Sequence, residues 1–343
     1  MKTTFSSTHS VQTTLLQTMA KAQNDLAKAN KEVTTGVHAD LGVELGAKTS
    51  RSLDLSRDML RIESQMTTNS IATQRLTSSE EALGQLSKIG QSVMDSLVGL
   101  SGSSTTLDVA RSTITSALNS FVDVANTSVS GEYLFSGTNS DVRPMLPYEQ
   151  TAGLGQAVDD FRVAQGYPTP ANMTPTQMTN FLGDLQVKFA DDAFWSANVS
   201  KASDSNITSR ISATEVIDTS TNANSKGFRA FVFASVVSTK FLTNDVPEQT
   251  RKAVTDSATA AIGQAISGIN DQRSSIGLST ERVKKATESL SDQKVIIETH
   301  INELQGVDAY EASTRVSALQ SLLEASYTLT SRIQKLSLVN YLS

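Results

Sequence analysis

Two matching apolar stripes, one at each end of the chain, constrain its fold most. Near the C-terminus the sequence reads VSALQSLLEASYTLTSRIQKLSLVNYL, and Leu319, Leu322, Ser326, Leu329, Ile333 and Leu336 recur at alternating steps of three and four. Near the N-terminus Leu15, Met19, Ala22, Leu26, Ala29 and Val33 recur in the same way. Such spacing puts each set on one face of a helix, with the period of a coiled coil. Equal seams at opposite ends predict that the terminal helices pack together and that everything between them is an excursion out and back.

Residue placement divides that excursion. All six prolines lie between Pro144 and Pro247, and fourteen of the eighteen aromatics lie between Phe121 and Phe241. Proline breaks helices and aromatics build compact cores. The expected fold is therefore mostly α: long antiparallel coiled-coil helices from both termini, with a small α+β middle domain inserted. Its parts are 1–40 with 306–343 as a terminal coiled coil, 41–138 with 246–305 as a helical arm, and 139–245 as the inserted domain.

Along the chain, the spacing predicts a first helix over about 10–33, broken by Gly36, Gly42 and Gly46. A second helix runs from near Ser52 to Leu100, its stripe passing through polar Asn69 and Thr73. A turn at 99–106 leads to a helix from Leu107 to about Val129. GEYLFSGT (131–138) reads as a short strand or turn between two glycines. Within the middle, 174–189 reads as a helix, 206–219 as a small sheet and 228–242 as a buried helix. Glu80–Glu81, with Ser78 or Ser79 as cap, reads as a helix start. Pro247 opens the return helix. Ile276, Val283, Leu290, Ile297 and Leu304 follow at sevens, which argues for a coiled coil. Gly306 and Asp308 mark a joint before the last helix.

The large apolar side chains of the first 35 residues are few beside the backbone entropy of ordering them. The terminal helices are therefore expected to order only against neighbouring copies. Residues 1–24 and 325–343 contain no acid, and each stretch carries two Lys or Arg. They are expected to meet through apolar contact, not charge.

Chemistry is sparse. Without cysteine there is no thiol catalysis, no disulfide and no cysteine metal site. His9, His38 and His300 stand far apart, and none has a second histidine at ligand spacing. His38 is expected in a solvated loop. No calcium loop, phosphate-binding loop or nucleophile elbow is present, so no cofactor and no enzymatic activity is expected. Net charge is −6 with no basic run, which argues against nucleic acid. Membrane insertion is not expected, because no run of apolar residues is long enough. The N-terminal residues lack a continuous apolar core of signal-peptide type, so export is not expected to use a cleaved signal.

GEYLFSGT, DAYEASTRVSALQSLLEAS (308–326) and KLSLVNYL (335–342) carry a family likeness. With the architecture above, the chain resembles the flagellin superfamily, and within it the hook-associated proteins of the hook–filament junction. The likeness covers about 1–138 and 246–343. The segment TTGVHADLGVELGAKTS keeps Thr35–Gly36 of the family turn and lacks its paired acids. The resemblance implies a secreted structural protein of the bacterial flagellum, exported by the flagellar type III apparatus with an export chaperone. It implies self-association into a ring between hook-associated and flagellin neighbours. The implied assembly contacts are Leu15, Met19, Leu26, Val33, Leu319, Leu322, Leu329, Ile333, Leu336 and Tyr341. A filament flagellin and a cytoplasmic signalling coiled coil are the alternatives, and an enzymatic insertion in 139–245 would need paired acids or a metal motif.

Overall fold

Helix forms where the apolar period runs on without proline, and the two longest helices carry it through interior glycines. The computed structural model describes residues 8–101, 106–147 and 152–342, with the side chains of 8, 9, 12, 101, 152 and 333–342 outside the described set. Two compact units divide the chain: one ends at Ser64 and resumes at Leu290, the other runs Gln65–Ser289. Helices α3 (Thr49–Ser101) and α9 (Glu248–Gln305) each contribute to both.

The first unit holds α1 (Thr8–Thr35), α2 (Leu41–Leu45), the start of α3, the end of α9, and α10 (Ala309–Leu342). Gly36 ends α1 at φ +72°, in the left-handed region that favours glycine. Asp40 caps α2 by accepting from the Val43 amide at 3.2 Å. Asp308 accepts from the amides of Tyr310 at 2.7 Å and Glu311 at 3.1 Å, which starts α10. The two expected breaks turn out to be one joint. Val37 and Gly306 form an antiparallel bridge. The His38 amide donates to the Gln305 carbonyl at 2.9 Å, and the Val307 amide to the Gly36 carbonyl at 2.9 Å. A Cβ at position 306 would collide with the Asn302 carbonyl oxygen. Below the joint Gln305 donates to Ser52 at 2.7 Å. Lys294 donates to Glu63 at 2.9 Å, and that hydrogen bond holds the Lys294 pKa above the ordinary lysine value.

The terminal helices pair within a single chain. Ordering that the sequence assigns wholly to neighbouring copies therefore begins inside the molecule. His38 is half-buried at the joint, not in a solvated loop.

The second unit adds α4 (Leu107–Ala125), the hairpin β1 (Ser128–Val129) and β2 (Glu132–Tyr133), α5 (Ala152–Ala164), α6 (Pro175–Ala190) and α7 (Asp192–Asn198). The hairpin β3 (Thr208–Arg210) and β4 (Val216–Asp218) and the helix α8 (Lys226–Phe241) complete it. Its core is aromatic. Phe121 stacks on Phe231 with centroids 3.8 Å apart, and Phe189 meets Phe233 edge-on at 5.6 Å. Leu76, Leu83, Val93 and Leu97 of α3 and Val254, Ile262, Ile269 and Val283 of α9 join the same core. Gly227 and Gly268 let α8 and α9 touch, since a Cβ on Gly227 would lie 2.8 Å from the Ile269 nitrogen.

The GEYLFSGT segment is an anchor. Ser130 and Gly131 turn the first hairpin at φ +54° and +86°. Arg75 pairs with Glu132 and donates to the Tyr133 carbonyl. Leu134, Phe135 and Ser136 are buried. The Phe135 carbonyl accepts from the Ala223 amide at 2.8 Å, and the Ser136 carbonyl from the Ser203 amide at 2.9 Å. Asn69, the polar residue in the α3 stripe, is buried and donates to the Ile211 carbonyl at 3.0 Å and to Thr287 at 3.1 Å. It ties the second hairpin to the helices.

Three expectations change. Helix α4 stops at Ala125, because Ser128 and Val129 pair with β2. Ser79 is buried inside α3 and Glu80 pairs with Arg273 at 2.6 Å, so no helix starts there. Helices α5 and α7 were not expected; α6 falls where a helix was read, and Thr174 and Gln177 cap it reciprocally.

Candidate assembly interface

Leu15, Met19, Ala22, Leu26 and Ala29 of α1 line the seam with α10, Leu15 and Leu26 half-buried and the others buried. Opposite them, Ala312, Leu323 and Ser326 are buried, and Val316, Leu319 and Thr330 are half-buried. The α10 seam thus reads 312, 316, 319, 323, 326, 330, with four of the expected positions displaced or undescribed. Leu322 and Leu329 are 46% and 48% exposed, and Val33 is 40% exposed. Ile333, Leu336 and Tyr341 belong to the helical backbone of α10, but their side chains lie outside the described residues.

The seam selects small side chains. Ala22, Ala29, Ala312 and Ser326 let the two backbones approach, and Leu323 and Met19 fill what remains. Stepping from the largest residues picks Leu322 and Leu329 instead, which share only Leu319 and Ser326 with the true seam.

Polar groups flank it. Gln23 donates to the Tyr327 hydroxyl at 2.8 Å. The Thr330 hydroxyl donates to the Met19 sulfur at 3.6 Å. Glu32, only 5% exposed, accepts from Arg315 at 3.2 Å through one oxygen and from the Ala39 amide at 3.1 Å through the other. His38 Nδ1 stands 3.9 Å from that second oxygen, and Arg315 also pairs with Glu311 at 3.0 Å. The acid-free stretches meet through apolar contact and neutral hydrogen bonds, and a charge pair crosses the seam outside them, nearer the joint. Glu32 was not singled out by its sequence, and Arg315 was visible only as part of the DAYEASTRVSALQSLLEAS segment.

Antiparallel pairing leaves an apolar strip uncovered. On α10, Leu322 and Leu329 stand one above the other on the flank that carries Arg315, each about half exposed, while Leu16 and Tyr327 are exposed on the opposite flank beside Gln23. Apolar residues lined up on an exposed face mark a surface built to be covered. Among the described residues no three acidic or histidine side chains are placed to hold a metal ion, and no helix is long and apolar enough to cross a membrane. The arrangement can bind another helix face.

Residues 7–140 match the model of the bacterial flagellin N-terminal helical region, and 259–342 match that of the bacterial flagellin C-terminal helical region. No curated protein sequence matches the chain. A solved structure from Vibrio parahaemolyticus, assigned as a flagellar hook-associated protein, superimposes with a TM-score of 0.52 at 14% identity, covering 75% of this chain and 97% of that one. A crystal structure of FlgL from Xanthomonas campestris gives a TM-score of 0.49 at 14% identity over 72% of this chain and 99% of that one. The two family models bracket the inserted region and together take in most of the chain, and the chain belongs to the flagellin superfamily.

Proposed function

We propose that this protein is a structural subunit of the bacterial flagellum, a hook-associated adaptor that joins hook to filament. It assembles as a ring through its terminal helices. The observation that carries the reading is the exposed leucine strip on the terminal pair of a flagellin-superfamily chain. Residues 1–40 with 306–343 act as the assembly domain, 41–138 with 246–305 as the arm, and 139–245 as the inserted domain. Leu15, Met19, Leu26 and Leu319 hold the pair together. Leu322, Leu329, Val33, Ile333, Leu336 and Tyr341 meet neighbouring subunits. Flagellar export carries the chain out of the cell, with a chaperone covering the terminal helices before assembly. The role is mechanical, not catalytic. The GEYLFSGT anchor and the Vibrio neighbour's assignment favour the junction over the filament. Because the matching family models are those of flagellin itself, a filament subunit is the second reading.

Gold labelling of intact flagella with an antibody against residues 139–245 tests this. A single spot where hook meets filament is expected. Label along the filament makes the protein a flagellin, and label confined to the cytoplasm overturns both readings.

A further inference from the structure

Arg315, Leu322 and Leu329 recur at sevens, so they form one row along α10, and in sequence the row continues to Leu336. Arg315 heads the row and is the member that reaches α1, through Glu32. The next two members point away from the seam at 46% and 48% exposure. Leu323, only one residue from Leu322, is 7% exposed. Neighbouring residues on a helix stand about 100° apart, so a turn of α10 by that angle, a little over a quarter of a revolution, would exchange the two leucines. The turn would bring Leu322 and Leu329 into the seam and take Val316 and Leu323 out of it, so apolar burial alone does not choose between the two rotations.

We infer that the Glu32–Arg315 pair sets the rotation of α10 and keeps the leucine row facing outward. This rests on the assembly reading above and adds what regulates its surface. The pair resists turning in both directions. An inward turn carries Arg315, on the same row, into a tight apolar seam where its charge has no water. An outward turn pulls the guanidinium away from a buried carboxylate that has one other hydrogen bond, from the Ala39 amide. On the opposite flank Gln23 and Tyr327 are neutral and exposed, and they yield more readily. A buried polar pair fixing helix register at a cost in stability is a known use of such groups. Glu32 and Arg315 are positioning residues: they expose the surface without forming it.

The chain has no cysteine, so single thiols report cleanly. L322C and L323C are placed separately in the full-length chain, and alkylation by a maleimide is timed in dilute monomer. In the native background L322C is expected to react at least tenfold faster than L323C. Adding E32L with R315L is expected to lower that ratio at least tenfold, while R315K preserves it. An unchanged ratio in the E32L/R315L chain overturns the inference. Should that chain lose its helical circular dichroism, E32Q/R315Q replaces it, with a threefold or greater fall expected and an unchanged ratio again overturning the inference. The readout is taken on monomer, so it does not depend on where the protein sits on the flagellum. Failure of the gold-labelling test and failure of this one are therefore separate results.

Discussion

The aromatic unit and the terminal helix pair solve the same problem, burying apolar surface, with different completeness. In the aromatic unit, Phe121, Phe135, Phe181, Phe189, Phe228 and Phe231 are all fully buried, and the polar Asn69 is fully partnered inside it. In the terminal pair, Leu15, Leu26, Leu319 and Leu323 share the seam with alanine, serine and threonine, while Leu322 and Leu329 stay outside. One region finishes its packing alone. The other keeps back part of its apolar surface, which is what a surface meant for neighbours requires.

The largest expected effect tests the finished side. Phe231→Ala removes the ring stacked on Phe121 and should cost about 3–5 kcal/mol in denaturant unfolding. The contrast between regions breaks if α1 and α10 unfold at the same shifted midpoint, followed by fluorescent labels on the terminal helices. Next comes Gly227→Ala. Its Cβ would press on the α9 backbone near Ile269, and a loss of about 1–3 kcal/mol is expected in the same measurement. Leu322→Ser with Leu329→Ser sharpens the comparison from the other side. Monomer stability should stay within about 0.5 kcal/mol, while swimming in soft agar is lost. A clear drop in monomer stability would place those leucines in an intramolecular seam after all.

The smallest effect is a pH dependence confined to the aromatic unit. Lys188 donates to Asp191 at 2.8 Å, and the Ala193 amide donates as well, so the Asp191 pKa lies below the ordinary aspartate value. A lowered folded-state pKa contributes stability that is present above the unfolded value and lost as pH falls through the folded one. The contribution should be full above about pH 4 and fade below it. Asp191→Asn should lower the aromatic unit's stability slightly at neutral pH and leave it unchanged in acid, which flattens the acid limb of its stability curve.

Much of the fold was legible because long helices announce themselves by period. The α9 ladder through Ile276 and Val283, the Pro247 start and the Gly36 stop all follow from local chemistry. Helix α7 was missed because seven residues make only two turns, and α5 because Gly153, Gly155, Gly166 and Pro168 make its stretch read as loop. At the candidate interface the pairing of the two ends was legible and the rotation was not. Periodicity weights the largest residues, and both the leucine row and the alanine–serine seam satisfy it. What chooses between them is Glu32 with Arg315, a long-range charge pair that no local pattern reveals. Asn69 is the same lesson in the other unit: a polar residue in an apolar stripe marks a partner distant in sequence.

The joint at Gly36 and Gly306 also has a mechanical meaning. Two backbone hydrogen bonds cross-link the chain where it enters the terminal pair to the chain where it leaves. The two helices are therefore fastened side by side at one end, like the legs of tweezers at their hinge. A pull along their axis on both free ends is shared between two tethers and loads the crossing bonds very little. A sideways force that spreads the free ends opens the seam one helical turn at a time, starting furthest from the hinge. The same molecule is thus stiff to tension and soft to splaying.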